Sequence, residues 1–70
     1  MIIVLELQTT GGVTSVLSNT FSDRNAAENK YHTILASAAV SNIEAHAAVM
    51  MNHEGSVLKS SIYYHSQVSE

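Results

Sequence analysis

The sequence predicts an α+β fold of the form ββαββ, a two-layer domain in which one helix covers one face of a four-stranded, mostly antiparallel sheet. Three observations predict it. Gly11-Gly12 separates two segments rich in β-branched residues, a helical segment with three-four apolar spacing follows, and strand-forming residues return near the end. We place this single domain at residues 1–65, with a polar tail at residues 66–70.

The first two strands are predicted as a hairpin, because both glycines accept a positive φ without a Cβ clash. Two registers are possible. A two-residue loop sets Thr10 opposite Val13, whereas a three-residue loop sets Leu5 opposite Leu17. We predict the second register, because it gathers an apolar row on one face, made of Met1, Ile3, Leu5, Leu7, Leu17 and Phe21.

A helix is predicted to begin after Ser22 or Asp23, either of which can cap its first free backbone N–H groups. Phe21 lies where a hydrophobic staple residue contacts the first turn. The helix should end near Ser41-Asn42. The apolar positions form one stripe of Ala27, Tyr31, Ile34, Leu35, Ala38 and Ala39, and the opposite face has a charged row of Arg24, Glu28 and His32.

The segment from Ile43 to Met51 has two interpretations. As a helix, it would be capped by Ser41 and end at Gly55, which gives the alternative order ββααβ. As a strand, it would form a hairpin with residues 56–65 around the turn Asn52-His53-Glu54-Gly55. We favour the strand, because residues 57–64 are strand-forming and need a neighbour in the sheet.

The composition indicates a partner chain. Charged residues are 13% of the sequence, against about 25% in typical domains. Small domains are marginally stable, and the absence of cysteine excludes a disulfide. The formal net charge of -3 argues against nucleic-acid binding through phosphates. The sequence also contains no apolar run long enough for a membrane-spanning helix and no signal-peptide pattern at its start.

We expect the partner at the sheet face opposite the helix. In the first and third strands, the positions alternating with the expected core remain apolar, which is typical of strands buried on both faces. The predicted interface residues are Ile2, Val4, Ala48 and Met50. A homodimer or higher homo-oligomer, joined face to face or through edge strands, is the expected assembly. The alternative is that small alanines are simply exposed to solvent.

No catalytic, cofactor or metal site is predicted. The four histidines, His32, His46, His53 and His65, match no compact metal-binding spacing. His46 and His65 could approach across the second hairpin, so a histidine-based metal site stays an alternative. Glu44 with His46, and Glu54 with His53, are sequence neighbours in turns or edges rather than general acid–base pairs.

The segment from Ala27 to Ser41, with His46 and Glu54-Gly55 after it, resembles a group of short uncharacterised proteins of gut Firmicutes and their phages or prophages. The resemblance implies no activity and no catalytic residues. It implies a setting, that of a phage-type accessory or virion-associated protein.

We therefore expect a non-enzymatic interaction or structural module that is cytoplasmic or part of a virion. The partner would be a second copy of the chain, or another phage or host protein. The alternative functions are an inhibitor or binding protein for a host protein or small ligand, and a histidine-dependent metal-binding protein.

Overall fold

The computed structural model describes residues 1–65, and the predicted polar tail, residues 66–70, lies outside the described residues. The elements are β1 (Ile2–Thr10), β2 (Val13–Phe21), α1 (Arg24–Val40), β3 (Ala45–Asn52) and β4 (Val57–Tyr64). The strands form one sheet in the order β2-β1-β3-β4, and each neighbouring pair is antiparallel. The predicted ββαββ architecture, with its one helix and four-stranded sheet, is confirmed.

The register of the first hairpin differs from the predicted one. Gly11 and Gly12 have φ of 60° and 82° and form a two-residue loop, with Thr10 opposite Val13. Leu5 therefore faces Ser18 rather than Leu17. Positive φ at both loop residues matches the right-handed twist of the strands, which makes this shorter turn favourable. The slip of one residue moves every predicted core side chain of one strand to the other face.

The segment from Ile43 to Met51 belongs mainly to a strand, as we favoured, and not to a second helix. β3 pairs with β4 across a turn in which the Gly55 amide donates to the Asn52 carbonyl. The Asn52 side-chain oxygen also accepts bonds from the amides of Glu54 and Ser56. The turn therefore satisfies its own backbone donors, and Gly55 supplies the positive φ of 94° that it requires.

The helix closely follows its sequence signals. Asp23 is the N-cap, with its carboxylate accepting a bond from the Asn25 amide, and Ser41 is the C-cap. The buried helical residues are Ala27, Tyr31, Ile34 and Ala38, and Leu35 packs against the core while Ala39 is exposed. Because these residues recur at three-four spacing, they place one face of α1 against the sheet.

The core lies between α1 and the strand positions that we predicted as a partner interface. Val4, Ala48 and Met50 are completely buried, and Ile2 packs against them. The predicted interface of Ile2, Val4, Ala48 and Met50 is therefore wrong. Neighbouring side chains in a strand project to opposite faces, so the wrong register in β1 exchanged the face beneath α1 with the face turned away from it.

The two edges of the sheet are unlike each other. At one edge, every residue of β2 from Val13 to Thr20 is exposed, and only Phe21 is partly covered. At the other edge, the β3–β4 register shifts between Met50 and Met51, so Leu58 is an extra residue in a β-bulge. The helix lies mainly over β1, β3 and β4. No helix among residues 1–65 is long and apolar enough to cross a membrane.

Candidate functional site

The sheet face turned away from α1, here called the open face, is not covered by any other element of residues 1–65. Residues directly opposite each other in antiparallel strands project to the same side, so the register defines its members. Four rows follow from the pairings of β1 with β2 and β3 and of β3 with β4. The apolar members of the open face are Ile3, Leu5, Leu7, Val16, Ala45, Ala47, Val49, Met51, Val57, Ile62 and Tyr64, and the polar members are Thr9, Thr14, Ser18, Thr20 and Ser60.

No charged side chain among residues 1–65 belongs to the open face. Glu6 and Lys59 are strand residues, but both project toward α1, where Lys59 reaches Glu28. The remaining charged residues of the described chain lie in the helix, at its cap, or in the connections at the ends of the sheet. The shortage of charge noted in the composition is therefore concentrated on one side of the molecule.

The open face is apolar at its centre. The central residues of β1 and β3 are only half-buried, because neighbouring side chains cover one another but nothing lies above them. Toward the edges exposure rises, to 56% at Val16 and 76% at Tyr64. An uncharged apolar surface of this extent on a small domain is typical of a protein interaction site.

The helix side of the sheet contains the buried polar group of the domain. His46 in β3 is 2% exposed, and its Nε2 lies 2.6 Å from Glu6 Oε2 in β1. An ionised carboxylate can only accept, so His46 Nε2 carries the proton that joins the two strands. Gln8 Nε2 donates to the same Glu6 oxygen at 2.9 Å. The carboxylate is thus held by two donors beneath the helix.

The ionisation of Glu6 reflects two opposed effects. Burial raises the pKa of Glu6, whereas the hydrogen bonds from Gln8 and His46, with the electrostatic interactions of Glu6 with His46 and Lys30, lower it further than burial raises it. The pKa of Glu6 therefore lies below its ordinary value. The carboxylate is a stable acceptor in the folded chain rather than a proton donor.

Ser41 completes a hydrogen-bonded array of Glu6, His46 and Ser41. Its Oγ lies 3.3 Å from His46 Nδ1 and accepts a bond from the Ile43 amide at 3.3 Å. Both ring nitrogens of His46 are therefore occupied by groups of the same domain. Among the described residues, every buried side-chain nitrogen or oxygen has a hydrogen-bond partner. The array joins the helix C-terminus to β1 and β3, and both nitrogens of the His46 ring take part in it.

A second polar cluster joins the helix to the edge strand β4. Glu28 accepts from Lys59 Nζ at 2.7 Å and from Arg24 Nε at 3.2 Å, and His32 Nε2 lies 3.4 Å away. The hydrogen bond from Lys59 is the main cause that lowers the pKa of Glu28. Tyr31 Oη donates to Ser61 Oγ at 3.3 Å beside this cluster. The predicted charged row of the helix thus forms ion pairs, and it also reaches the sheet.

The histidines are dispersed rather than gathered at one site. His65 Nε2 donates to the Ala38 carbonyl at 2.6 Å, His53 lies in the exposed turn, and His32 is on the solvent side of α1. His46 pairs in register with Tyr63, and its side chain contacts Glu6, not His65. Within residues 1–65, no three histidine, aspartate or glutamate side chains are grouped so that they could hold a metal ion.

No protein-family model matches the chain, and comparisons with curated proteins and with solved structures gave no match.

Sequence reasoning missed the Glu6–His46 contact because its two residues are 40 positions apart. A signal was present, since Glu6 and Gln8 share one face of β1 with Ile2 and Val4, and His46 shares one face of β3 with Ala48 and Met50. Pairing these two polar strand ends would have placed both on one face. The sequence neighbour Glu44 and the hairpin counterpart His65 are the pairings that the local pattern suggests for His46.

Proposed function

We propose that the protein is a non-enzymatic interaction module that forms a homodimer by packing the open faces of two sheets against each other. The absence of charge from the open face within the described chain is the observation that supports this function. Two antiparallel sheets pack face to face through apolar rows about 10 Å apart, as in β-sandwiches. The partner is a second copy of this chain.

The distribution of charge favours self-association. The protein has a formal net charge of -3, so bringing two copies together through charged surfaces would be opposed by repulsion. The open face avoids this cost, because its apolar and hydroxyl side chains need no opposite charges. In a face-to-face dimer, the helices and their ion pairs lie on the two outer surfaces. A charged partner would find no complementary group on this face of the described chain.

The size of the open face suits a small stable interface. Strands of eight residues at about 3.4 Å per residue, four abreast at about 4.8 Å, give roughly 500 Å² of projected surface. Two facing sheets then bury on the order of 1,000 Å², the lower limit for a specific interface. The apolar character of its centre, with Leu5 opposite Val49, places the strongest contribution in the middle.

Sedimentation equilibrium of the purified chain tests the proposal. We expect a dimer at micromolar concentration. Leu5→Lys places a charge at the centre of the open face, and leaving it buried and unpaired at an interface costs about 2–5 kcal/mol. We therefore expect at least a ~30-fold increase in Kd. In the monomer the lysine stem can lie along the sheet with its ammonium group in water, so circular dichroism should remain that of the folded chain.

Ala36→Lys is the matched control, because Ala36 is an exposed residue of α1 on the solvent side. It adds the same charge and should leave the dimer unchanged. Val49→Lys, directly across from Leu5, gives a second variant if Leu5→Lys fails to fold. A folded wild-type monomer at micromolar concentration, or a dimer insensitive to both open-face variants, would contradict the proposal.

A further inference from the structure

We propose that two copies of the chain also join edge to edge, with β2 of one copy antiparallel to β2 of the other and Leu17 opposite its own counterpart. The result is a continuous eight-stranded sheet. This interaction does not depend on the proposed face-to-face dimer, because it uses backbone groups at the sheet edge and leaves both open faces uncovered. It assigns a partner to a surface that the proposed function does not use.

The first support is the difference between the two edges. Proteins protect exposed edges with lysine, proline or bulges, which prevent another strand from pairing there. The β4 edge has two of these devices, Lys59 and the bulge at Leu58. β2 has nine residues with no charge and no proline, and its register with β1 is regular throughout. Its outer edge is therefore open to pairing.

The second support is the direction of the backbone groups of β2. In a two-residue hairpin the closing pair, here Thr10 and Val13, exchanges both hydrogen bonds with its partner. The Thr9 and Thr14 hydroxyls lie 2.8 Å apart, as suits the closer, non-hydrogen-bonded pair that follows. Alternate residues then direct their N–H and C=O groups away from β1, toward the free edge. These residues are Thr14, Val16, Ser18 and Thr20.

The third support is that β2 has nearly the same pattern when it is read backwards. The segment VTSVLSNTF is centred on Leu17, so antiparallel self-pairing matches like with like. Threonine lies opposite threonine and leucine opposite leucine. Only the pair next to the central Leu17 joins an apolar residue to a polar one. The pairs are Val13 with Phe21, Thr14 with Thr20, Ser15 with Asn19, and Val16 with Ser18. The outward residues would form roughly eight hydrogen bonds across this edge.

A cysteine cross-link tests the pairing, because the natural chain contains no cysteine. In the proposed register Leu17 forms a non-hydrogen-bonded pair with its counterpart, at a Cα separation of about 4.5 Å. This separation is within the range of a disulfide. Leu17 projects to the helix side and is 55% exposed, so Leu17→Cys should not disturb the open face. In a redox buffer we expect Leu17→Cys to become mainly a covalent dimer.

Ser15→Cys and Asn19→Cys test the register. Each alone lies four residues from its own counterpart, too far for a disulfide, whereas a mixture of the two should form the mixed disulfide. Leu17→Cys should still cross-link in a Leu5→Lys background, so loss of the face-to-face dimer and loss of the edge pairing are distinguishable. Leu17→Cys that stays monomeric, or cross-links no more than Ser15→Cys alone, would overturn the edge pairing.

Discussion

The two faces of the sheet use polar residues in opposite ways. The face beneath α1 contains a carboxylate, an imidazole and an ammonium group, yet it is the covered one. The open face has no charged residue in the described chain, yet nothing covers it. The difference arises because α1 and the end of the helix supply partners for the polar groups, through Ser41 at one end and Glu28 at the other. The face with the charged side chains can therefore be buried because the helix provides a hydrogen-bonding partner for them.

The largest expected effect comes from removing volume on the helix side. Met50→Ala deletes a fully buried side chain beside Val4, and such truncations destabilise by about 2–5 kcal/mol. With both substitutions made in the Leu5→Lys background, which keeps the open face uncovered, Val49→Ala should cost less than half as much unfolding free energy as Met50→Ala. Urea denaturation at one fixed protein concentration measures both. Equal losses for the two variants would mean that the faces do not differ in burial.

A smaller effect is expected from the buried hydrogen bond. His46→Leu leaves the Glu6 carboxylate without its shortest partner, which should lower the unfolding free energy by about 1–3 kcal/mol. A double-mutant cycle with Glu6→Gln isolates the coupling between the two side chains. The more exposed Glu28–Lys59 pair is the comparison, where a cycle with Glu28→Gln and Lys59→Met should give a smaller coupling because water screens the two charges. If the coupling free energy of Glu6 with His46 is no larger than that of Glu28 with Lys59, the prediction is wrong.

The smallest expected effect is the contribution of Glu6 to the loss of stability at acidic pH. Because the pKa of Glu6 is lower in the folded chain, the stabilisation by its carboxylate is complete above the unfolded pKa. It is lost as the pH falls through the folded pKa. Glu6→Gln should therefore reduce the acid-dependent loss of the urea midpoint. Glu28→Gln should reduce it less, because that ion pair is more exposed to water. A pH profile unchanged by Glu6→Gln would exclude this role for the carboxylate.

Local signals were enough to predict the elements but not the faces. The helix was predictable because Asp23, the apolar spacing and Ser41 all act within the segment. Gly11-Gly12 marked the hairpin, but two loop lengths fitted, and the choice between them decides which side of β1 is buried. Glu6 and Gln8 made their side of β1 look solvent-facing, although His46 contacts Glu6 under the helix and is itself contacted by Ser41. These partners are distant in sequence, so the polar positions of β1 and β3 could be matched only once the β1–β3 pairing was known.

The position of β1 in the sheet also has a consequence for how the chain folds. β1 is the first strand of the chain, yet it lies in the interior of the sheet and pairs with β3 as well as β2. The two hairpins can each form from local contacts, whereas the β1–β3 junction requires closure of the segment that contains the helix. We expect this junction to form last. During synthesis, the edge of β1 that pairs with β3 would therefore stay unpaired until Asn52 has left the ribosome.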